Sequence, residues 1–172
     1  MNLTLGMVAS EKSLAAFASS AGADGRRLVV GALIHDAEGR LYLQRRSLSR
    51  ALFPGAWDLV GGHAEHGEDV RTALAREVHE ETGWRLADLG PVVEVIDWEE
   101  GGVARREVDL LVTVDGDLAR PQVEHGKHSE GRWVTRADAE RLAAEREALD
   151  GSSGPDAWVF AVVRKAFELL EA

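Results

Sequence analysis

GHAEHGEDVRTALAREVHEETGW, residues 62–84, is the stretch that says most about how this 172-residue chain folds. Residues 68–82 repeat apolar side chains at helical spacing, with Glu68 in the first turn of the pattern and Gly83 directly after it. Acidic residues favour a helix start, and glycine favours a helix end because it adopts left-handed backbone angles without steric cost. The segment therefore predicts one helix bounded by two turns.

Two glutamates of this helix fall on its apolar side. On a wheel of about 100° per residue, Glu77 and Glu81 lie within about 20° of Val70, and Glu80 lies on the flank beside Glu77. Most glutamate-rich helices simply expose an acidic face. Core-facing carboxylates instead need a cation, hydrogen bonds or a raised pKa, and two of them one turn apart repel each other. A divalent cation with oxygen ligands meets both demands.

Residues around the glutamates fit such a site, although each also has an ordinary structural explanation. Arg76 comes four residues before Glu80 and is placed to pair with it, which by itself is a common helix salt bridge. Gly61 and Gly62 end a short strand pattern. They allow close approach to a ligand or metal, although an ordinary turn is the preferred interpretation of an isolated glycine pair.

Taken together, residues 62–84 are similar to the Nudix box. That pattern is Gly, five residues, Glu, seven residues, then Arg-Glu-U-X-Glu-Glu-X-Gly-U, where U is bulky and apolar. Every fixed position agrees, with Trp84 as the last U. Such agreement arises by chance on the order of once in 10⁸ starts. A weaker resemblance extends over residues 27–150.

The resemblance implies an architecture, a reaction and a cofactor. The fold class is α/β, a Nudix-type α/β/α sandwich with a mixed sheet between helices. The reaction is attack of water on phosphorus in a nucleoside diphosphate linked to another group, with Mg²⁺ or Mn²⁺ as cofactor. A bound cation suits a chain of formal net charge −10, because it reverses the repulsion between the protein and a phosphorylated substrate.

The resemblance also implies roles for the box residues. The metal ligands would be Glu77, Glu81, Glu80 and the carbonyl of Gly62. Glu80 has a second reading as the base that activates water. Arg76 would orient the glutamates, Glu68 would fix the loop and the helix start, and Gly83 would be structural.

Many members of the family use a further glutamate outside the box as ligand or base. Glu130 is the first candidate here because it precedes a strand pattern around Trp133, and Glu124 is the second; a surface role is open for either. His125 and His128 occupy the same loop, and we expect both to be exposed.

Substrate contacts are harder to read. Three cations are candidates for binding substrate phosphates: Arg45, Arg46 and Lys127. Side chains alternate along a strand, so at most one of the two arginines is expected to face the site. Trp57 and Trp98 are candidates for stacking on a base, with core packing favoured for both.

Apart from the box, the chain predicts one compact unit. Residues 1–25 are interpreted as a mobile or accessory arm and residues 26–172 as a single Nudix domain. The absence of cysteine and of a long apolar stretch favours a cytoplasmic protein without membrane contact. The acidic charge argues against nucleic acid as a partner. Homodimerisation is common in the family, and nothing in the sequence demonstrates it.

The remaining patterns predict strands and helices in alternation. Strands are expected at 28–34, 41–46, near 57–60, 91–98, 106–115 and 131–135, with turns at 36–39 and 101–102; helices are expected at 136–149 and from Pro155 to 170.

Two other functions share this fold. An isopentenyl-diphosphate isomerase resembles residues 53–63, but the related enzymes use a cysteine that this chain lacks. A non-catalytic nucleotide sensor usually has an eroded box, and here the box is intact. The substrate stays open among nucleoside triphosphates, oxidised nucleotides, ADP-ribose, dinucleoside polyphosphates and other diphosphates, with a nucleotide favoured.

Overall fold

The computed structural model describes residues 3–151, 154 and 156–172, and its elements follow the predicted alternation. The helices are α1 (Glu11–Ala23), α2 (Val70–Thr82), α3 (Arg136–Asp150) and α4 (Ala157–Glu171). The strands are β1 (Arg27–Ile34), β2 (Leu41–Arg46), β3 (Trp57–Asp58), β4 (Val60–His63), β5 (Arg85–Glu100), β6 (Val103–Asp115) and β7 (His128–Val134). Pro155, the expected first residue of the last helix, lies outside the described residues.

The strands form two sheets. The larger has the order β4-β1-β6-β5 and is mixed, because β1 runs parallel to β6 and antiparallel to β4. The smaller has the order β3-β2-β7 and is antiparallel. The turn between β1 and β2 forms as predicted, yet the two strands belong to different sheets. Asp36 redirects the chain there, since its carboxylate accepts bonds from the backbone N–H groups of Glu38 and Arg40.

Helices cover both faces of the larger sheet. Alternate residues of β1, among them Val30 and Ile34, pack with α1 and α2 in one apolar cluster. Leu33 faces the other way and packs with α3 and α4 in a second cluster. Burial on both faces explains why β1 reads as a continuous apolar run. The expected α/β class, with a mixed sheet between helices, is confirmed.

The helix of the glutamate motif begins two residues later than the sequence pattern suggested. Asp69 is the N-cap, and its carboxylate accepts a bond from the Thr72 N–H at 2.8 Å. Glu68 therefore lies in the preceding turn, where it accepts a bond from the Glu65 N–H. The predicted end is confirmed: Gly83 adopts φ 73° and donates its N–H to the His79 carbonyl. These two ends fix which glutamates face the sheet.

The N-terminal segment packs on the body. Helix α1 buries Leu14, Phe17 and Ala21 in the same cluster as β1 and α2. The described part of the segment, from residue 3, is thus an accessory layer of the core, and a boundary at residue 25 stays a prediction. No helix of the described residues is long and apolar enough to cross a membrane.

Candidate active site

A cavity of about 910 Å³ opens between α2, β4, the larger sheet and the start of α4. That volume is within the usual range of small-molecule sites. Its lining brings together most of the residues singled out from the sequence: Gly62, Arg76, Glu77, Glu80, Glu81, Arg46 and Lys127. Arg45, Glu68 and Glu130 are not part of the lining. The motif therefore faces a space large enough for a nucleotide-sized molecule.

Glu77 and Glu81 are buried at this cavity, as the helix wheel predicts, with exposed fractions of 6% and 3%. Glu81 Oε2 accepts bonds from Gln44 Nε2 at 2.6 Å and from the Gly61 N–H at 3.1 Å. Burial raises the pKa of Glu81 to about 8, and the charge of Glu77 adds to the shift. Burial also raises the pKa of Glu77, although Arg76 opposes it. Without a cation, both charges are costly in this position.

Arg76 organises the acidic groups around it. Its guanidinium donates Nε and Nη2 to the two oxygens of Glu68 at 2.9 and 3.0 Å. Nη1 donates to Glu77 at 2.8 Å and to Glu80 at 3.3 Å, and Nη2 also reaches the His63 carbonyl at 3.0 Å. These bonds use all five donors of the side chain. They lower the pKa of Glu68 and tie the turn before α2 to the glutamates that follow.

The glycine pair lies inside β4, and both residues are in close contact with other groups. A Cβ atom on Gly61 would come within 2.2 Å of the Val30 carbonyl oxygen. A Cβ on Gly62 would come within 2.5 Å of Glu77 Oε1, so this carboxylate lies directly against the Gly62 backbone. An ordinary turn is thereby excluded. A side chain at position 61 would collide with the backbone of β1, and one at position 62 would displace the Glu77 carboxylate.

The donors at this point fit a hard divalent cation. Carboxylate oxygens of Glu77, Glu80 and Glu81 and the backbone oxygen of Gly62 are the ligand types that Mg²⁺ and Mn²⁺ prefer. In the described part of the chain, no three acidic, His or Cys side chains already stand in a metal-holding arrangement. Arg76 Nη1 instead bonds both Glu77 and Glu80. Glu80 can turn toward a cation, since its side chain is 46% exposed and its bond to Arg76 is a long 3.3 Å.

The cations at the cavity are themselves paired. Arg46 donates to Asp58 at 2.7 Å, whereas Arg45 donates to the Gly55 carbonyl away from the cavity. Only one of the two arginines lines the cavity, as strand alternation predicts. Lys127 lines it too and lies 3.0 Å from Glu124. Burial lowers the Lys127 pKa, but the bond to Glu124 and the charges of Glu124, Glu81 and Glu77 together outweigh it, and the net shift is upward.

A family model described as the NUDIX domain matches residues 25–152, which is most of the chain. The chain belongs to the Nudix family. The matched range includes every residue of the glutamate motif and all seven strands.

Proteins similar in sequence to this chain have names that state different activities. An uncharacterized Nudix hydrolase of Pseudomonas aeruginosa is 47% identical over 58 residues, 33% of this chain and 34% of that protein. An isopentenyl-diphosphate delta-isomerase of Leifsonia xyli is 28% identical over 74% of this chain and 66% of that protein. An RNA pyrophosphohydrolase of Dinoroseobacter shibae is 30% identical over 64% of this chain and 78% of that protein. The matches thus span about a third and two thirds of the first two relatives.

Solved structures show the same Nudix fold. A MutT protein from Methanosarcina mazei superposes with a TM-score of 0.61 at 23% identity, covering 86% of this chain and 96% of that one. A MutT Nudix hydrolase from Burkholderia pseudomallei gives 0.57 at 29% identity, over 70% and 96%. The α/β/α sandwich is therefore that of the family.

The two glutamates outside the Nudix box lie differently from the box residues. Glu130 is opposite Arg45 in the β2–β7 ladder, 3.9 Å from its guanidinium, and accepts a bond from Arg132 at 3.1 Å. This pairing on the smaller sheet keeps Glu130 out of the cavity lining. Glu124 is engaged by Lys127. A ligand or base role for Glu130 stays a prediction, and the geometry gives Glu80 the better access.

Several residues in the cavity or next to it were not predicted from the sequence, or were predicted wrongly. His128, expected to be exposed, is buried at the start of β7, and burial near Arg46 lowers its pKa to about 4. Trp98 lines the cavity half-exposed instead of packing in the core, whereas Trp57 is buried as expected. Gln44 had a readable signal, because it is a polar residue at a core-facing position of β2.

Replacing Gly62 with alanine is expected to weaken binding of Mg²⁺ or Mn²⁺ by about tenfold or more, the usual effect of disturbing the support of a metal ligand. The added Cβ would push the Glu77 carboxylate away from the strand. Calorimetric titration with each metal measures the effect. Gly22→Ala is the control, since a Cβ there meets nothing within 4 Å. Unchanged affinity in Gly62→Ala would argue against a site between Gly62 and Glu77.

Proposed function

We propose that this protein is a metal-dependent hydrolase that cleaves a diphosphate linkage in a nucleotide-derived substrate, a nucleoside diphosphate joined to another group. The observation that carries the proposal is the pair of buried glutamates, Glu77 and Glu81, lining a cavity of nucleotide size. The pyrophosphohydrolase name of the Dinoroseobacter relative supports the same bond type.

Glu77, Glu81 and the Gly62 carbonyl would hold the cation, with Glu80 either as a further ligand or as the base. When bound, Mg²⁺ or Mn²⁺ neutralises phosphate charge and makes a nearby water more acidic. Gln44 and the Gly61 N–H fix the orientation of Glu81, and Arg76 fixes Glu77. The chain thus supplies preorganised carboxylates whose mutual repulsion the cation relieves.

The reaction is a displacement at phosphorus. A water oxygen forms a new bond to one phosphorus, the bridging P–O bond breaks, and the leaving phosphate takes the electron pair. The proton of the water passes to a carboxylate. Glu80 is our candidate for that base because it is exposed at the cavity, whereas Glu130 is not part of the lining. Lys127 and Arg46 line the cavity and would contact substrate phosphates, with Arg46 able to bind two oxygens at once.

The test is turnover of a panel of diphosphate compounds with and without metal. We expect hydrolysis of at least one nucleoside triphosphate, ADP-ribose or dinucleoside polyphosphate in Mg²⁺ or Mn²⁺. We also expect its loss in EDTA and recovery when metal is restored. Chromatography of the products identifies the bond that was cut. Turnover that survives EDTA, or none of any compound in either metal, would contradict the proposal.

An isomerase is the second candidate, because the Leifsonia relative matches along most of this chain. The chain has no cysteine to act as the acid–base partner that the related enzymes use. Formation of dimethylallyl diphosphate from isopentenyl diphosphate would favour this candidate over hydrolysis. Tight nucleotide binding without turnover would instead favour a sensor. The choice between Mg²⁺ and Mn²⁺, a cytoplasmic location and a homodimer stay predictions.

A further inference from the structure

Part of the cavity lies over the larger sheet, two strands away from the glycine pair. Its floor consists of alternate residues of β1, β5 and β6: Val29, Ile96, Trp98, Arg105 and Glu107. Val29 of β1 lies opposite His63 of β4 on one side and opposite Glu107 of β6 on the other. Two strand spacings separate Glu107 from β4 by about 9.6 Å. A group bound at Glu107 would therefore lie about one sugar length from phosphates bound near the glycine pair.

Glu107 is held in place at this floor. It is 8% exposed, and Trp98 Nε1 donates to its Oε2 at 2.7 Å. The Trp98 ring is covered in turn by the Arg105 guanidinium, 4.6 Å from the ring centre. Arg105 donates to His63 Nε2 at 3.0 Å and to two backbone carbonyls. These three bonds are made within the protein and not to a ligand. The carboxylate is thus a rigid acceptor at the cavity surface.

Asp109 lies behind Glu107 on the same side of β6. It is fully buried, and no N–H or O–H of the described residues donates to either of its oxygens. Its neighbour is the Glu107 carboxyl, to which it can bond only when one of the two holds a proton. A Cβ on Gly31 would come within 2.0 Å of Asp109 Oδ1, so glycine at position 31 makes room for this carboxyl beneath the cavity.

The more deeply buried member of the pair keeps the proton. Burial raises the pKa of Asp109 well above its usual range, and burial raises that of Glu107 to about 7. Above about pH 7 the pair then carries one proton, which lies on Asp109 and is donated to Glu107. With the Trp98 N–H on its other side, Glu107 is an acceptor that a ligand can approach only with donors.

The surroundings limit what that ligand is. A phosphate is repelled by the acidic pair, and the cations that line the cavity near the box, Arg46 and Lys127, attract it elsewhere. The apolar walls, which include Leu59 and Trp158, suit a flat ring. An isoprenoid tail has no donor and would cover the remaining acceptor sites of the Glu107 carboxylate without bonding them, which is costly.

We propose that Glu107, oriented by Trp98 and backed by Asp109, determines substrate specificity by accepting hydrogen bonds from a planar base with two neighbouring N–H donors. Guanine has such an edge in its N1–H and 2-amino groups. This inference rests on the proposed hydrolase function and names its substrate class, a guanine nucleotide with a diphosphate linkage.

The test compares nucleotides that differ by one donor. GTP and ITP differ only in the 2-amino group, and we expect kcat/KM for GTP to be higher by about 10- to 100-fold, the range for one hydrogen bond to a charged group. ATP and CTP should also be poorer than GTP. In Glu107→Gln the GTP/ITP ratio of kcat/KM should fall below about threefold. The amide N–H of glutamine would face an N–H of the base and cannot accept a bond from it. Glu99→Gln removes an exposed charge of β5 outside the lining and should keep the ratio.

Binding without metal separates the inference from the hydrolase proposal. Calorimetry of GMP and IMP with the metal-free wild type should show the same preference for GMP, whether or not any compound is hydrolysed. If Glu107→Gln does not fold by circular dichroism, Trp98→Phe removes the orienting N–H, keeps the ring and should reduce the preference. Equal use and equal binding of the guanine and inosine compounds, or an unchanged ratio in Glu107→Gln, would overturn the inference. Absence of all turnover with a clear GMP preference would overturn only the hydrolase.

Discussion

Glu81→Gln is expected to lower kcat/KM for the diphosphate substrate by at least about 100-fold while the protein stays folded. Changes to groups that merely support a metal ligand typically cost 10- to 100-fold, so removal of a ligand charge should cost more. The glutamine retains the shape of the side chain and one oxygen that can accept from the Gly61 N–H. Steady-state kinetics at saturating metal measures the loss. Turnover within threefold of wild type would remove Glu81 from the metal site.

The same variant should be more stable than the wild type in the absence of metal. In the folded protein the Glu81 pKa is raised from 4.5 to about 8. The unfolded chain thus releases its proton first, and stability is fully present below about pH 4.5 and is lost as the pH rises to about 8. Glutamine cannot ionise, so the melting temperature of Glu81→Gln should exceed that of the wild type by a margin that grows over this window.

Exposed carboxylates provide the control for that comparison. Glu99→Gln removes the same charge from a solvated position, and its difference in melting temperature should stay small and nearly constant with pH. Glu107 and Asp109, which are not among the groups that shift the Glu81 pKa, affect both proteins equally and cancel in the difference. A margin that does not grow with pH would mean that Glu81 is charged without strain in the metal-free fold. Together, lost activity and gained stability distinguish a ligand from a structural residue.

Local patterns in the sequence were sufficient for the glutamate helix. The spacing of Val70, Glu77 and Glu81 follows the helical repeat, so a wheel places both carboxylates toward the sheet, where they are buried. The end at Gly83 depends on the backbone freedom of a single residue. The start was misplaced because Glu68 and Asp69 both suit a first turn, and only the bond from Thr72 shows which of them is the cap.

The other part of the cavity depends on contacts between distant strands. Asp109 meets Gly31 only because β1 lies parallel to β6 in one particular register, which neither strand encodes alone. Trp98 was expected in the core, since nothing near it shows that the end of β5 forms a cavity floor. His128 looked like a loop residue, but it starts a strand that pairs with β2. The residues proposed to determine specificity are thus much harder to predict from the sequence than those of the glutamate helix.

Arg76→Lys is expected to lower kcat/KM by about 10- to 100-fold even though the charge is kept. The planar guanidinium bonds Glu68 through two parallel contacts and bonds Glu77, Glu80 and the His63 carbonyl at the same time. A lysine ammonium has three donors and lacks the planar, two-pronged geometry of guanidinium. It therefore cannot hold the carboxylates of Glu77 and Glu80 in these positions. The helix would then lose its link to the turn before it.

Arg71→Lys is the matched control for this variant, because Arg71 is an exposed residue of the same helix with one long contact, 3.5 Å, to the Ala87 carbonyl. It should keep full activity. A metal titration separates two explanations for the loss in Arg76→Lys. If the arginine only positions Glu77 and Glu80, its replacement mainly weakens metal binding. Excess metal should then restore part of the activity. If activity stays low at saturating metal, the guanidinium also acts on the substrate. Full activity of Arg76→Lys at the metal concentration that suffices for the wild type would show that the five-bond network serves stability alone.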